Sequence, residues 1–266
     1  MHNKLARLKD IICSYDKLAV CFSGGVDSSF LLAVAHECLG DSLVAYTLDA
    51  PVYPDSETRE AEKFCKERGI RQVMISQDVL SIPGFSSNPQ DRCYICKKAM
   101  FSVVKEQASN EGISAVAEGT NADDLSDYRP GLKALEELDI KSPLKEAGLT
   151  KPEIRELSKE MGLAGYNKPS YACLASRFPY GDEITAEKLS MLDNGEEYLR
   201  ELGLTQVRIR LHDKAARIEV LPSEFDAVME NKDAIYTALQ DIGFSYVSLD
   251  LQGYRTGSMN EGLSKG

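Results

Sequence analysis

A short apolar run that breaks into glycines and restarts as a helix constrains this chain more than any other feature. Leu18-Ala19-Val20-Cys21-Phe22 reads as a strand, and Ser23-Gly24-Gly25-Val26-Asp27-Ser28 as a glycine-rich turn. Phe30, Leu31, Leu32, Val34, Ala35, Cys38 and Leu39 are the apolar positions of the helix that follows. Strand, loop and helix in that order make a phosphate cradle. Gly24 and Gly25 let backbone N–H groups approach an anion, Ser23 and Ser28 add hydroxyl donors, and the helix N-terminus contributes partial positive charge. No Lys-Ser or Lys-Thr follows the glycines, so the loop is not of the Walker A type.

The alternation continues downstream. Leu43–Leu48 is a second strand ending at Asp49, and Asp55 caps a helix that runs to Arg68 and is closed by Gly69. Gln72–Ile75 is a third strand, residues 81–92 a loop, about Lys97 to Asn110 a helix, and Ala115–Glu118 a fourth strand. Strands separated by helices of this length imply right-handed crossovers and an α/β fold with a parallel sheet. Ligands on such sheets bind beyond the carboxyl ends of the strands. The Ser-Gly-Gly loop, Asp49 and Gly119-Thr120-Asn121-Ala122-Asp123-Asp124 all fall there.

Thr150-Lys151-Pro152-Glu153 is a capping box that starts a helix ending at Gly162. The boundaries expected are a nucleotide domain over 1–165, a connector over 166–183 carrying Cys173, and a smaller α+β unit over 184–266. In that unit Val207–His212 alternates, with Arg208, Arg210 and His212 on one face, and the pattern resumes at Ala216 with Arg217 and Glu219 outward. A hairpin here would expose three arginines. Their planar forks suit carboxylates and phosphates, although an ordinary solvated face gives the same pattern.

A formal charge of −11 and no dense basic tract argue against long nucleic acid and for a small anionic ligand. No apolar run reaches membrane-spanning length, and the first residues lack a signal peptide, which implies a cytoplasmic protein. Seven cysteines then do not suggest a disulfide framework. Cys13, Cys21, Cys38 and Cys65 lie among apolar residues and read as core fillers. Cys93 and Cys96 form Cys-x-x-Cys at a loop-to-helix junction beside Lys97 and Lys98, where thiolates are favoured, and Cys173 lies in a polar connector near Arg177. Two of the three could form a redox pair. Alternatively all three could share a metal, an iron–sulfur cluster with one open iron matching three thiolates better than zinc.

Taken together, these residues resemble the LarE family of ATP-dependent sulfur transferases. That family is a branch of the PP-loop ATP pyrophosphatases, whose fold is adenine nucleotide alpha hydrolase-like. The resemblance runs through Ser23–Ser28, Glu118–Asp124, Arg129-Pro130-Gly131, Lys141–Leu144, Cys173–Gly181 and Asp250–Asn260. It implies that ATP adenylates the carboxylates of pyridinium-3,5-biscarboxylic acid mononucleotide, with Mg²⁺ assisting pyrophosphate departure. Sulfur transfer then gives the thiocarboxylates of the nickel-pincer nucleotide cofactor. Ser23, Gly24, Gly25, Asp27 and Ser28 would hold the ATP phosphates, Asp27 through Mg²⁺, with Asp123 or Asp124 beside them. Arg177, Arg208 and Arg210 would take the substrate's anions, and Arg255 would do the same or join subunits of a homo-oligomer.

Single-cysteine members of the family sacrifice the residue matching Cys173, which becomes dehydroalanine. The presence of Cys93 and Cys96 beside it resembles members that bind a 4Fe–4S cluster whose open iron carries the sulfur. The cluster version, on Cys93, Cys96 and Cys173, is the one expected, and the sacrificial version remains open. So do a cluster-dependent tRNA thiolase, which the acidic charge disfavours, an amide-forming synthetase, for which no glutaminase domain is present, and an adenine-nucleotide sensor.

Overall fold

A computed structural model describes residues 1–126, 131–168, 172–255 and 257. Arg129 and Pro130, Ser170 and Tyr171, and Thr256 and Ser258–Asn260, all within motifs or the connector named above, lie outside the described residues. The chain divides into two compact units, Met1–Ile82 with Asp91–Tyr171, and Pro83–Gln90 with Ala172–Gly266.

In the first unit α1 (His2–Cys13) precedes β1 (Leu18–Cys21), α2 (Val26–Leu39), β2 (Leu43–Asp49), α3 (Asp55–Arg68) and β3 (Gln72–Ser76). Then follow α4 (Arg92–Asn110), β4 (Ala115–Ala117), α5 (Gly131–Glu137), α6 (Pro143–Glu146) and α7 (Lys151–Glu160). Among the described residues the strands form one parallel sheet in the order β3-β2-β1-β4. The inner strand β1 is buried on both faces, which is why it is continuously apolar rather than alternating, whereas the edge strand β3 leaves Met74 and Ser76 exposed. One core packs α1, α2, α3, α6 and α7 against Leu18, Val20 and Ala45, and the other packs α4 and α5 against Ala19, Val44 and Tyr46.

The order of strands places the site. The chain leaves β1 toward β2 on one side and reaches β4 on the other, so a topological switch point lies between β1 and β4. The loops after these two strands are the ones singled out above. Thr150 completes its capping box with Glu153, and Gly69 ends α3 in the left-handed region at φ 65°. Helix α4 starts at Arg92, five residues before the expected Lys97, so both cysteines of the Cys-x-x-Cys lie within the helix.

The second unit contains α8 (Ala186–Glu201), β5 (Arg208–His212), β6 (Ala215–Glu219), α9 (Phe225–Glu230), α10 (Lys232–Ile242) and β7 (Tyr246–Leu249). Antiparallel β5 and β6 are joined by β7, which runs parallel to β6. Residues 83–90 belong here through Asn88, whose side chain donates to the Pro179 carbonyl at 2.6 Å and whose carbonyl accepts from the Gly181 amide at 2.9 Å.

Candidate functional site

In the first unit the glycine-rich loop is held by its own hydroxyls and by neighbours that tolerate no side chain. Ser23 Oγ and Ser28 Oγ are 3.1 Å apart, Ser28 Oγ donates to the Gly25 carbonyl at 3.1 Å, and the Ser29 amide donates to the same carbonyl at 2.9 Å. Gly24 has φ +74°, and a Cβ there would stand 3.2 Å from the Glu57 carbonyl of α3. Across the switch point, a Cβ on Gly119 would stand 3.0 Å from the Ser28 amide nitrogen. The start of α2 is therefore wedged between two backbones.

Asp27, in the first turn of α2, is the electrostatic centre. Its Oδ2 accepts from Lys151 Nζ at 2.6 Å, while Oδ1 is buried and has no hydrogen-bond partner. Burial pushes its pKa above the usual carboxylate range and outweighs Lys151, with the nearby Asp124 adding to the rise. Asn121 favours the ionised form, but no hydrogen bond from it reaches Oδ1. The loop after β4 is internally braced. Asp124 accepts from the Asn121 amide at 3.0 Å, Asn121 accepts from the Asp123 amide at 2.9 Å, and Asp123 accepts from the Lys151 amide at 2.8 Å. Glu118, 7% exposed, accepts from Thr120 and from Ser142 Oγ and so ties the same loop to the start of α6. Ser23, Gly24, Gly25, Asp27, Ser28 and Asp124 thus share one crevice with Lys151. A cleft of about 480 Å³ adjoins the loop, lined by Gly24, Val26, Ser29, Phe64, Tyr166 and Lys168 among others.

In the sequence Lys151 stands only as part of a cap, because 124 residues separate it from Asp27. A lysine directly after an N-cap, where a cation opposes the helix dipole, is the signal that was available.

Cys93 is exposed and Cys96 half-buried, one helical turn apart on α4, with Cys96 Sγ 3.2 Å from Met100 Sδ. Of the expected core fillers Cys65 is buried and Cys21 and Cys38 are half-buried, but Cys13 is exposed, since Ile12 takes the inward position at the end of α1. Cys173 lies in the second unit. Within neither unit, among the described residues, are three His, Cys, Asp or Glu side chains gathered to hold a metal.

The arginines of the second unit lie deeper than the hairpin pattern suggested. Register pairs Arg208 with Glu219 and Arg210 with Arg217, so the expected face exists, but Arg208 is 2% and Arg210 8% exposed. Acidic groups make this burial tolerable. Arg210 meets Glu219 at 3.0 Å, Arg217 meets it at 3.1 Å, and Arg177 meets Glu196 at 2.7 Å. Burial, then the like charge of Arg177, lowers the Arg208 pKa to about 10. Glu196 was also missed, although Leu192, Glu196 and Leu199 are spaced as one buried helix face. Arg255 donates to the Gly253 carbonyl at 2.8 Å.

Residues 13–85, which contain the loop, match the asparagine synthase family model. The whole chain is 38% identical to an uncharacterized protein of Synechocystis sp. across that protein's full length. It is 37% identical, over 98% of this chain and 94% of the relative, to the pyridinium-3,5-bisthiocarboxylic acid mononucleotide synthase of Lactiplantibacillus plantarum. A subunit of the glutamine-hydrolyzing GMP synthase of Thermoplasma volcanium is 29% identical over 71% of this chain and 65% of its own length.

Proposed function

The chain belongs to the LarE family of ATP-dependent sulfur transferases, and on that premise we propose how its own residues share the work. It is an enzyme that uses ATP to activate a carboxylate and then exchanges oxygen for sulfur. The substrate is pyridinium-3,5-biscarboxylic acid mononucleotide, and its carboxylates become thiocarboxylates.

A carboxylate is a poor electrophile, so the first half-reaction makes it a better one. A carboxylate oxygen attacks the α-phosphorus of ATP, the bond to the β-phosphate oxygen breaks, and pyrophosphate leaves with the electron pair. The Ser23 and Ser28 hydroxyls, the loop amides at Gly24 and Gly25 and the α2 dipole stabilise the growing charge. Lys151 brings a cation to the same crevice. Asp27 Oδ1, buried without a partner, fits a Mg²⁺ ligand, and Asp124 would complete the acidic side. Mg²⁺ held there would neutralise phosphate charge.

In the second unit Arg208 and Arg210 place positive charge where an anionic substrate would be drawn, whereas the expected third arginine, Arg177, directs its guanidinium to Glu196 and the Cys173 turn. Cys93 and Cys96 present thiols from adjoining turns of α4, and together with Cys173 they would supply the three thiolates of a 4Fe–4S cluster. Such a cluster would supply transferable sulfur. We assign the protein to the cytoplasm and to a homo-oligomer.

The observation that carries this reading is the convergence on Asp27 of the loop, Gly119 and Lys151. Asp27→Asn is expected to lower pyrophosphate release about 10²–10³-fold, and thiocarboxylate formation with it. A variant that binds ATP and retains full release would remove Asp27 from the chemistry.

One observation favours a second version of the sulfur step: Cys173 is the sole cysteine in its unit's sequence. There Cys173 Sγ attacks the acyl carbon and AMP leaves. Loss of the Cys173 Cα proton then breaks the Cβ–S bond, releasing thiocarboxylate and leaving dehydroalanine. Intact mass after one turnover separates the versions, since only this one loses the elements of H₂S.

A further inference from the structure

Cys173 opens a short turn that two arginines fasten. Its carbonyl accepts from the Ser176 amide at 2.9 Å, closing the helical turn Leu174–Arg177. Leu174 and Ala175 are fully buried, so the turn cannot roll, while Cys173 itself is half-exposed. Arg177 then folds back toward the residues before it. Its Nη1 donates to the Ala172 carbonyl at 2.9 Å, the Cys173 carbonyl at 3.4 Å and Ser176 Oγ at 2.8 Å.

The other edge of the guanidinium is gripped by Glu196. Nε and Nη2 donate to its two oxygens at 2.7 and 2.8 Å, a bidentate pair with both side chains fully buried. Glu196 is fixed in turn by the Ile209 amide of β5 at 2.9 Å and by Arg200 at 3.2 Å. A second fastening runs alongside, in which Arg210 Nη1 donates to the Ser176 carbonyl at 2.8 Å while its guanidinium meets Glu219. Helix α8 and strand β5 are thereby tied to the peptide groups on either side of the Cys173 α-carbon.

Stability alone gives little reason for such an arrangement, because apolar side chains of similar volume often serve as well as a buried ion pair. A planar five-donor fork does something they cannot. It reaches several oxygens of one turn while a carboxylate holds it still.

We infer that Arg177 is a positioning residue for the Cys173 sulfur: Glu196 fixes the guanidinium, and the guanidinium fixes the peptide that carries the thiol. The inference rests on the sulfur-transfer reading, and it applies equally whether Cys173 ligates a cluster or gives up its own sulfur. In both cases the sulfur needs one placement, and an error of about 1 Å in a reacting group costs on the order of 10²-fold in rate.

The test uses the full-length protein and Arg177→Lys, which keeps the charge and loses the fork. Three quantities are read: pyrophosphate release, thiocarboxylate formation in a single turnover, and the rate at which iodoacetamide alkylates Cys173, followed on its peptide by mass spectrometry. The expected result is pyrophosphate release within about twofold of wild type, sulfur transfer lowered about 10²-fold, and alkylation severalfold faster as the turn loosens. Wild-type transfer and alkylation in R177K would overturn the inference, as would equal losses in both half-reactions. A wild-type protein that forms no thiocarboxylate would instead sink the sulfur-transfer reading. Should R177K not fold, hydrogen exchange on the wild type decides. The Ser176 amide should exchange as slowly as the Ile209 amide, because one opening exposes both, and fast exchange at Ser176 alone overturns the inference.

Discussion

Two cation–carboxylate pairs, one in each unit, are built in opposite ways. Lys151 and Asp27 are partly open, with side chains 28% and 22% exposed, and one oxygen of Asp27 has no hydrogen-bond partner. Arg177 and Glu196 are closed, with no exposed side-chain surface and both carboxylate oxygens used. The titrations diverge accordingly. Burial wins at Asp27 and raises its pKa. At Glu196 burial also pushes upward, but the Arg177 charge and hydrogen bonds prevail and hold the carboxyl below its usual range. An incomplete pair has capacity left for a ligand, whereas a completed one can only hold its neighbours in place.

Breaking the closed pair should have the largest effect. Glu196→Ala leaves a buried guanidinium without its carboxylate and is expected to cost about 3–5 kcal/mol in urea denaturation. A loss under 1 kcal/mol would show the pair to be less closed than its geometry. Lys151→Ala comes next, and its effect should fall on rate. Pyrophosphate release should drop about 10²-fold while stability changes by less than about 1 kcal/mol, as for other pairs that water reaches. Equal damage to both would erase the contrast. Gly119→Ala sharpens the boundary of the open site, since its Cβ would press on the Ser28 amide, and a destabilisation of about 1–3 kcal/mol with weaker ATP binding is expected.

The smallest effect concerns pH. A raised Asp27 pKa means that the native state binds the proton more tightly than the unfolded chain. Wild-type stability therefore falls as pH rises from the ordinary Asp value, about 3.9, through the higher folded value. Asp27→Asn lacks that loss, so the Tm of the variant minus that of wild type should grow as pH rises above the ordinary Asp value. Glu196 has the opposite sign, its contribution being present at neutral pH and lost as pH falls below the ordinary Glu range. A Tm difference independent of pH would remove Asp27 from the comparison.

What could be read from the residues in advance was what neighbours in the chain decide. The apolar Leu18–Phe22 run, the glycines after it, the helix ending at Arg68 with Gly69 and the Thr150 cap are local signals, and each is where it was expected, except that Pro54 rather than Asp55 holds the cap position of α3 and Asp55 is its first helical residue. The start of α4 was misjudged because Asp91-Arg92-Cys93 carries no apolar period, yet Arg92 is 1% exposed and the helix begins there. Long-range pairing was not legible. The hairpin pattern put Glu219 on the same face as Arg208 and Arg210, but nothing near them in sequence reveals that Glu196 helps that face to be buried, and nothing near Lys151 points to Asp27. The loop at residues 81–92 was recognised as irregular, but not that part of it packs with the carboxy-terminal unit.

That last placement bears on biogenesis. Pro83–Gln90 leaves the ribosome well before Pro179, Gly181 and Ile184, the residues whose backbones it engages through Ser86 and Asn88. At ordinary translation speeds the octapeptide waits on the order of ten seconds for them. The amino-terminal half must therefore mature around a dangling insert, and a nascent chain stalled near residue 170 should display that insert to proteases that spare the finished protein.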